Sequence, residues 1–271
     1  MGILAGYIDT SYELDLPGEA VFNLKSFIFL IIDPEYGAMV FDAGSPQKRE
    51  ETIERIKTCF NIEIEDIKWI FNTHLHIDHI GLNILAADTG TKIIISKEEL
   101  ESINKIINAA YSDSDFYEFM IDYLPGFKGN FSRNDANIWK RDIRKFWPEA
   151  KKINNKKNVY YIEDSPELPG NVTILPTPGH TFNHYGYKIS FPNIDIFILG
   201  DALSNRYEFM YSDEDPYEPQ ADIPLYNKTR KNLLTKKGLM VPAHDRPFYS
   251  TSLKSLKKNV FYIEDLVLPS N

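Results

Sequence analysis

The chain has a single cysteine, Cys59, among 271 residues. One thiol cannot close an intramolecular disulfide or build a Cys-based zinc finger, so any bound metal has to be held by histidine and carboxylate. Such scarcity fits a reducing cytoplasm, which is the expected location. Long hydrophobic runs are missing too. The longest near the start, residues 27–32, is far shorter than the roughly 20 apolar residues that span a bilayer, and no basic segment with a cleavage site precedes it. Neither export nor membrane insertion is expected. Positive charge is in short supply: 30 Lys and Arg stand against 39 Asp and Glu, a net charge of -9. That argues against a nucleic-acid partner, because phosphate binding needs a positive surface that displaces counterions. One local exception runs through Lys140, Arg141, Arg144, Lys145, Lys151, Lys152, Lys156 and Lys157, opposed only by Asp142 and Glu149. It reads as a solvated helix face and linker, with an anion-steering rim as the second reading.

What is present is enough apolar mass, 43% hydrophobic and 13% aromatic residues, for one large core. Residues 26–32 and 38–41 are apolar runs separated by Asp33, Pro34, Glu35, Tyr36 and Gly37, the pattern of a hairpin. Residues 50–60 set Ile53, Ile56 and Phe60 at helical spacing, and 68–72 reads as a buried strand. A helix at 82–88, a strand at 92–95 and an amphipathic helix at 97–110, with Leu100, Ile103 and Ile107 on one face, continue the alternation. Residues 111–157 differ in character. Pro125, Gly126 and Gly129 interrupt them, and aromatics from Tyr111 to Trp147 crowd them, so they read as a helical insertion or lid within one domain covering 1–271. Strand signals resume at 159–162, 172–175, 185–190, 194–199 and 239–241.

Chemistry concentrates where strands end. After the strand at 68–72 come Thr73, His74, Leu75, His76, Ile77, Asp78, His79, Ile80 and Gly81, with four candidate metal ligands in six positions. A turn at a strand end can aim alternating imidazoles and carboxylates at one point, as a borderline divalent ion requires. His74 and His76 can share one ion, while Asp78 and His79 fall on the other side of such a turn and can serve a second. His180, Asp201 and His244 each follow an apolar strand, so five of the six histidines share one setting. The sixth, His184, reads as an outer support or an interior residue, and Asp245 as a turn or supporting carboxylate.

These motifs resemble the metallo-β-lactamase superfamily, whose His-x-His-x-Asp-His signature is met by His74, His76, Asp78 and His79. The likeness runs from Asp42, Ala43 and Gly44, through Thr177, Pro178, Gly179, His180 and Thr181, to Gly200 and Asp201, and on to Ala243, His244 and Asp245. It implies an α/β fold, a four-layer αββα sandwich with the aromatic-rich helical insertion added. It further implies two divalent metal ions, Zn²⁺ first and Fe²⁺, Mn²⁺ or Co²⁺ as alternatives. His74, His76 and His180 would hold one, Asp78, His79 and His244 the other, with Asp201 bridging and Asp42 a structural aspartate nearby.

Within the superfamily, true metallo-β-lactamases usually place Cys or His where Asp201 stands and lack the histidine next to the motif aspartate. Flavodiiron proteins have Glu where His76 stands, and glyoxalase II enzymes continue with a sizeable helical domain after the last histidine. The chain is similar to the N-acyl homoserine lactone lactonase branch. That resemblance implies a dinuclear hydrolase in which a bridging hydroxide attacks a small ester, lactone or thioester and Asp78, the catalytic candidate, passes a proton to the leaving oxygen. The alternative is a metal-dependent phosphodiesterase or nuclease. Lactonases carry a tyrosine three residues after the bridging aspartate; Ser204 stands there, with Tyr207 and Tyr211 as candidates to reach the same space. The expected partner is a small-molecule substrate, with no nucleic acid or membrane, and a homo-oligomer is allowed but not required.

Overall fold

Strands covered on both faces read as unbroken apolar runs, and such strands make the centre of this protein. The computed structural model describes residues 2–14, 22–129, 131–148, 152–153, 156–214, 216 and 220–269. Its larger sheet holds β1 (Leu4–Asp9), β4 (Phe27–Asp33), β5 (Gly37–Phe41), β6 (Ile67–Phe71), β7 (Lys92–Ile95), β8 (Val159–Tyr161) and β14 (Val260–Tyr262), in the order β14-β1-β4-β5-β6-β7-β8. β4 and β5 form the antiparallel hairpin read from the sequence, whereas β5 to β8 run parallel. Between β1 and β4, the short β2 (Tyr12–Leu14) and β3 (Phe22–Leu24) pair as a separate ribbon.

The second sheet has five strands in the order β13-β12-β11-β10-β9: β9 (Val172–Pro176), β10 (Tyr185–Ser190), β11 (Asp195–Gly200), β12 (Leu239–Pro242) and β13 (Phe248–Tyr249). Three apolar layers account for the stacking. Phe29, Ile31, Met39, Phe41 and Phe71 of the first sheet face Tyr187, Ile189, Ile196, Ile198 and Val241 of the second. The outer face of the first sheet, with Ile28, Leu30, Val40, Ile70 and Ile93, is covered by α1 (Arg49–Phe60), α2 (Asn83–Thr89) and α3 (Lys97–Tyr111) through Ile56, Ala86 and Ile103. The outer face of the second, with Phe197, Leu199 and Met240, packs on Phe209 of α6 (Arg206–Met210) and Leu233 of α7 (Ile223–Leu233). The order is helix, sheet, sheet, helix. Among the described residues no helix is long and apolar enough to cross a membrane.

Sequence periodicity places the central strands and α1 to α3 within about two residues of their positions. It misses β1, β2, β3, β13 and β14. β1 pairs β4 from Leu4 to Asp9 and β14 through Leu4, Ala5 and Gly6, so the partners define these strands rather than the local pattern. The 111–157 segment contains α4 (Phe116–Tyr123) and α5 (Arg133–Phe146), packed on α3 through Phe116, Met120, Phe127, Ile143 and Trp147. Each helix begins with a side-chain cap, Asp115 accepting from Tyr117 N–H and Ser132 from Asp135 N–H, which fixes where α4 and α5 start. Of the basic run, Lys151 and its neighbour Glu149 lie outside the described residues. Lys140, Arg141, Arg144 and Lys145, with Asn137, line an open depression on α5 of about 470 Å³.

β11 ends on Gly200, whose φ of +50° lies in the left-handed region. A Cβ there would sit 2.4 Å from Thr73 Oγ1 and 2.9 Å from His184 Nε2, so only glycine lets the end of β11 approach the turn after β6. The two sheets therefore meet at one edge through this residue. Gly200→Ala is expected to lower the melting temperature and weaken divalent-metal binding together, measured by calorimetry with and without metal. A variant that keeps full metal affinity would show that the close approach is dispensable.

Candidate metal centre

The turn after β6 is tied down before any histidine is considered. Asp42, held at φ +58° just beyond β5, accepts the Thr73 backbone N–H at 2.8 Å and the Thr73 hydroxyl at 3.1 Å. The Asn72 side-chain amide donates to His79 O at 2.6 Å, and Asn83 donates in turn to Asn72 Oδ1 at 2.9 Å. Tyr187 reaches across from the second sheet to donate its hydroxyl to Asn72 O at 2.7 Å. The loop from Asn72 to His79 is thus closed on itself, on β5 and on the opposite sheet.

All seven sequence candidates meet on this edge. Ligand atoms of His74, His76, His180 and Asp201 lie within 4.8 Å of one another, and so do those of Asp78, His79 and His244. Asp201 stands between the groups, its Oδ2 3.2 Å from His180 Nε2 and 3.1 Å from His244 Nε2, its Oδ1 3.5 Å from His79 Nε2. His76 Nδ1 is 3.0 Å from His180 Nε2, and Asp78 Oδ2 is 3.5 Å from His79 Nε2 and 3.9 Å from His244 Nε2. Ligands bonded tetrahedrally at 2.0–2.1 Å stand about 3.3 Å apart, and these separations bracket that value.

Outside the cluster, hydrogen bonds engage the far side of the rings, and the converging atoms meet only one another or nothing. Asp42 accepts the Thr73 hydroxyl proton, so Thr73 Oγ1 is left to accept from His74 Nδ1 at 3.1 Å. His79 Nδ1 lies 3.0 Å from Asp42 Oδ2, His180 Nδ1 3.0 Å from Gln220 Oε1, and His244 Nδ1 against the Lys25 carbonyl. For His74, His180 and His244 the outer nitrogen has an acceptor of its own, which favours the tautomer with Nε2 free to bind a metal, while His79 is held on its outer side by the Asp42 carboxylate. His74 Nε2, His79 Nε2, Asp78 Oδ2 and Asp201 Oδ1 are buried and have no hydrogen-bond partner. Such a set of acceptors is stable only around cations, and the residues fit a pair of divalent ions.

The electrostatics agree. Burial, reinforced by neighbouring imidazoles, pushes His74 well below its ordinary value and His76 down to about 3. Burial also lowers His180, although Asp201 opposes it. These three are neutral at pH 7 and free to coordinate. For His79 the burial cost is outweighed by Asp78, Asp42 and Asp201, and the ring is raised well above 6.5. For Asp201 and Asp78 the burial cost is likewise outweighed, in Asp201 by His244, His79 and His180 and in Asp78 chiefly by His79, so both stay ionised.

His184 lies behind the cluster: its Nε2 accepts the Asp201 backbone N–H at 3.3 Å and its Nδ1 donates to Thr177 Oγ1 at 2.8 Å. Asp245 closes a turn by accepting the N–H groups of Arg206 and Arg246. Neither candidate for the lactonase tyrosine faces the cluster. Tyr207 on α6 donates its hydroxyl to the exposed Glu214 at 2.7 Å, and Tyr211, just beyond the helix, packs a tilted ring against Tyr207; both are exposed. Two residues were invisible in the sequence. Gln220 sits in no motif, and Glu99 looks like an ordinary acidic residue in the first turn of α3 but is 1% exposed. Burial raises the Glu99 carboxyl to about 7, offset in part by the Thr181 hydroxyl and the Leu75 backbone.

An αββα sandwich with a histidine and aspartate cluster at the shared edge of its sheets defines a metal-binding hydrolase scaffold. The chain belongs to the metallo-beta-lactamase superfamily, whose sequence model matches residues 23–260, and it is a metal-dependent hydrolase. Comparison with curated protein sequences gives no significant match. Among solved structures it is similar to AidC, a dizinc quorum-quenching lactonase in complex with a product, at 19% identity over 96% of this chain and 92% of that one, with a TM-score of 0.63. It is similar to an AiiA variant of B. thuringiensis with N-decanoyl-L-homoserine at its active site, at 21% identity over 90% and 94% of the chains, TM-score 0.61. A third is the hydrolase AbOPH of the β-lactamase superfamily, at 14% identity over 96% and 93%, TM-score 0.62.

Asp42→Asn is expected to weaken divalent-metal binding by about 10- to 100-fold, because it loosens both Thr73 and His79, with the far-UV circular dichroism unchanged. Competition against a chromophoric chelator measures this. Glu99 gives a second expectation. With its folded value near 7 and its ordinary value at 4.5, the unfolded chain loses this proton first, so stability falls as pH rises between those values and levels off above. In metal-free protein the melting temperature of Glu99→Gln minus that of wild type should therefore be more positive at pH 8 than at pH 4.5. A constant difference would contradict the raised value.

Proposed function

We propose that the protein hydrolyses small carboxylic esters, lactones or thioesters with two divalent ions held by seven side chains. The observation that carries this reading is a set of bare, converging ligand atoms with Asp201 between its halves, beside a wall that is mostly apolar. His74, His76 and His180 would hold one ion and Asp78, His79 and His244 the other, with Asp201 serving both. Zn²⁺ suits the donor set best, with Fe²⁺, Mn²⁺ and Co²⁺ as alternatives. Bound there, the ions would supply a water acidified towards neutral pH and an electrophile for the scissile carbonyl.

The chain's own residues set orientation and protons. Thr73, Asp42, Gln220 and the Lys25 carbonyl fix four of the five imidazoles, so the centre would not have to reorganise during turnover. Asp78 is the carboxylate we assign to carry a proton to the leaving oxygen, since its Oδ2 is buried and has no hydrogen-bond partner. Ile103, Ile106, Tyr123, Leu124, Phe127 and Phe182 form a mostly apolar wall beside His76 and His180, with no Lys or Arg in it among the described residues, which suits a carboxylic substrate better than a phosphate. The lactonases among the similar structures open a lactone ring, a reaction of this class. A departure from their pattern remains at Ser204, which is buried and lies beside Tyr226, whose hydroxyl is given to Glu208.

The test is a panel of p-nitrophenyl esters, lactones, acyl thioesters and bis(p-nitrophenyl) phosphate, run with protein loaded with each of the four ions. Acyl substrates are expected to turn over, and His76→Ala to lose more than about 100-fold in kcat/KM. Cleavage of the phosphodiester alone, or of nothing, would overturn the reading.

A further inference from the structure

α3 carries a carboxylate where its periodicity calls for an apolar side chain. Ser96 caps the helix by accepting the Glu99 N–H at 3.0 Å, which fixes Glu99 in the first turn. From there Glu99 falls in register with Ile103 and Ile106 on the face of α3 that packs inward. The result is a carboxyl group that is 1% exposed and makes no hydrogen bond of ordinary geometry, with only the Thr181 hydroxyl and the Leu75 backbone close enough to act on it. Beside it on the same cavity, the Thr181 hydroxyl is also buried and makes no hydrogen bond of ordinary geometry. Leaving such groups without good partners is a cost that apolar residues of similar size would not incur.

The cavity bordered by Glu99, Ser102 and Thr181 also has His76 and His180 in its wall and is otherwise apolar, from Ile103, Ile106, Tyr123, Leu124, Phe127 and Phe182. Its free space is about 20 Å³. That is room for one group the size of a water molecule, not for a hydrocarbon chain. A ligand atom placed there must be small, must be a few bonds from an acyl carbon at the metal centre, and must bring its own hydrogen-bond donor.

We propose that Glu99, with Thr181, is a specificity-determining pair that reads a hydroxyl group on the acyl portion of the substrate, so that hydroxyacyl esters are preferred over plain ones. The inference rests on the acyl-hydrolase reading above. It does not depend on the charge of Glu99, since a carboxylate and a carboxylic acid both accept a hydrogen bond. A substrate hydroxyl would take the place of the single water the cavity can hold and hydrogen-bond the carboxyl itself, whereas a plain chain, too large to enter, leaves that water where it is and gains no contact. Sites built this way discriminate against the analogue lacking the polar group more strongly than apolar pockets discriminate by size.

The experiment compares p-nitrophenyl hexanoate with its 3-hydroxy and 6-hydroxy forms on metal-loaded protein, and reads the ratio of kcat/KM between hydroxy and plain substrates. Wild type is expected to favour one hydroxy form by about 10-fold or more, chiefly through KM. Glu99→Gln should keep part of this ratio, because the amide still accepts, and Glu99→Leu should bring it to about 1. Calorimetric binding of 3-hydroxyhexanoate, 6-hydroxyhexanoate and hexanoate to metal-loaded wild type provides a readout that needs no turnover. A wild-type ratio near 1, as a cavity holding only its water would give, or a ratio unchanged in Glu99→Leu, overturns the proposal and leaves the acyl-hydrolase reading intact. Failure to cleave any ester sinks that reading instead. The binding experiment then decides, with tighter hydroxyhexanoate binding supporting the Glu99 assignment and equal binding of all three acids overturning it.

Discussion

Lone pairs pointing at one another in a buried space repel, and this fold assembles a large group of them. His74 Nε2, His79 Nε2, Asp78 Oδ2 and Asp201 Oδ1 are buried and unpartnered at the edge of the two sheets, with His76, His180 and His244 beside them. Positive charge from bound cations is what makes that arrangement favourable, so the free energy of metal binding is in part the free energy that holds this edge together. Much of the rest of the structure can be understood as the frame that prevents these groups from turning away to find other partners.

That frame works through the atoms facing away from the centre. Thr73, Asp42, Gln220 and the Lys25 carbonyl each engage the outer nitrogen of one histidine, and His184 accepts the backbone N–H of Asp201. His76 is the exception, held by ring contacts with Trp147 and Trp139 at 5.6 and 6.1 Å between centroids. Those two tryptophans come from the segment around α5, so the inserted helices and the metal edge are coupled through one imidazole. The aromatic residues of the insertion accordingly divide. Phe116, Phe127, Phe131 and Trp147 are buried in the core that joins α3, α4 and α5, while Tyr123, Leu124 and Phe127 also form the wall beside the cluster.

Polar groups in this region are used sparingly and with consequence. Asp42 serves two neighbours from a left-handed backbone position that asparagine and aspartate tolerate better than most residues. Tyr226, at 0% exposure, donates to Glu208 at 2.6 Å, and Glu208 in turn accepts the Ser204 N–H at 3.0 Å. This chain steadies the start of the segment after Asp201 from behind. A tyrosine facing the cluster from that segment is not part of the design here, because Ser204 is followed by a short helix whose tyrosines turn to solvent.

Sequence alone determined the central strands and the inventory of candidate ligands, and the family resemblance those ligands carry implied the two-sheet architecture. Covered strands must be apolar along their length, and histidines are few enough that five at strand ends stand out. It could not determine that β1 and β14 form an edge of the first sheet, since their strand character comes from pairing across more than 250 positions, as between Leu4 and Tyr262. Nor could it show that Gln220 orients His180, or that Glu99 is sealed beside the cluster. A glutamine in a loop and a glutamate in the first turn of a helix look alike wherever they occur. Their roles come from which surfaces the fold brings within about 3 Å, a distance that only the packed chain sets.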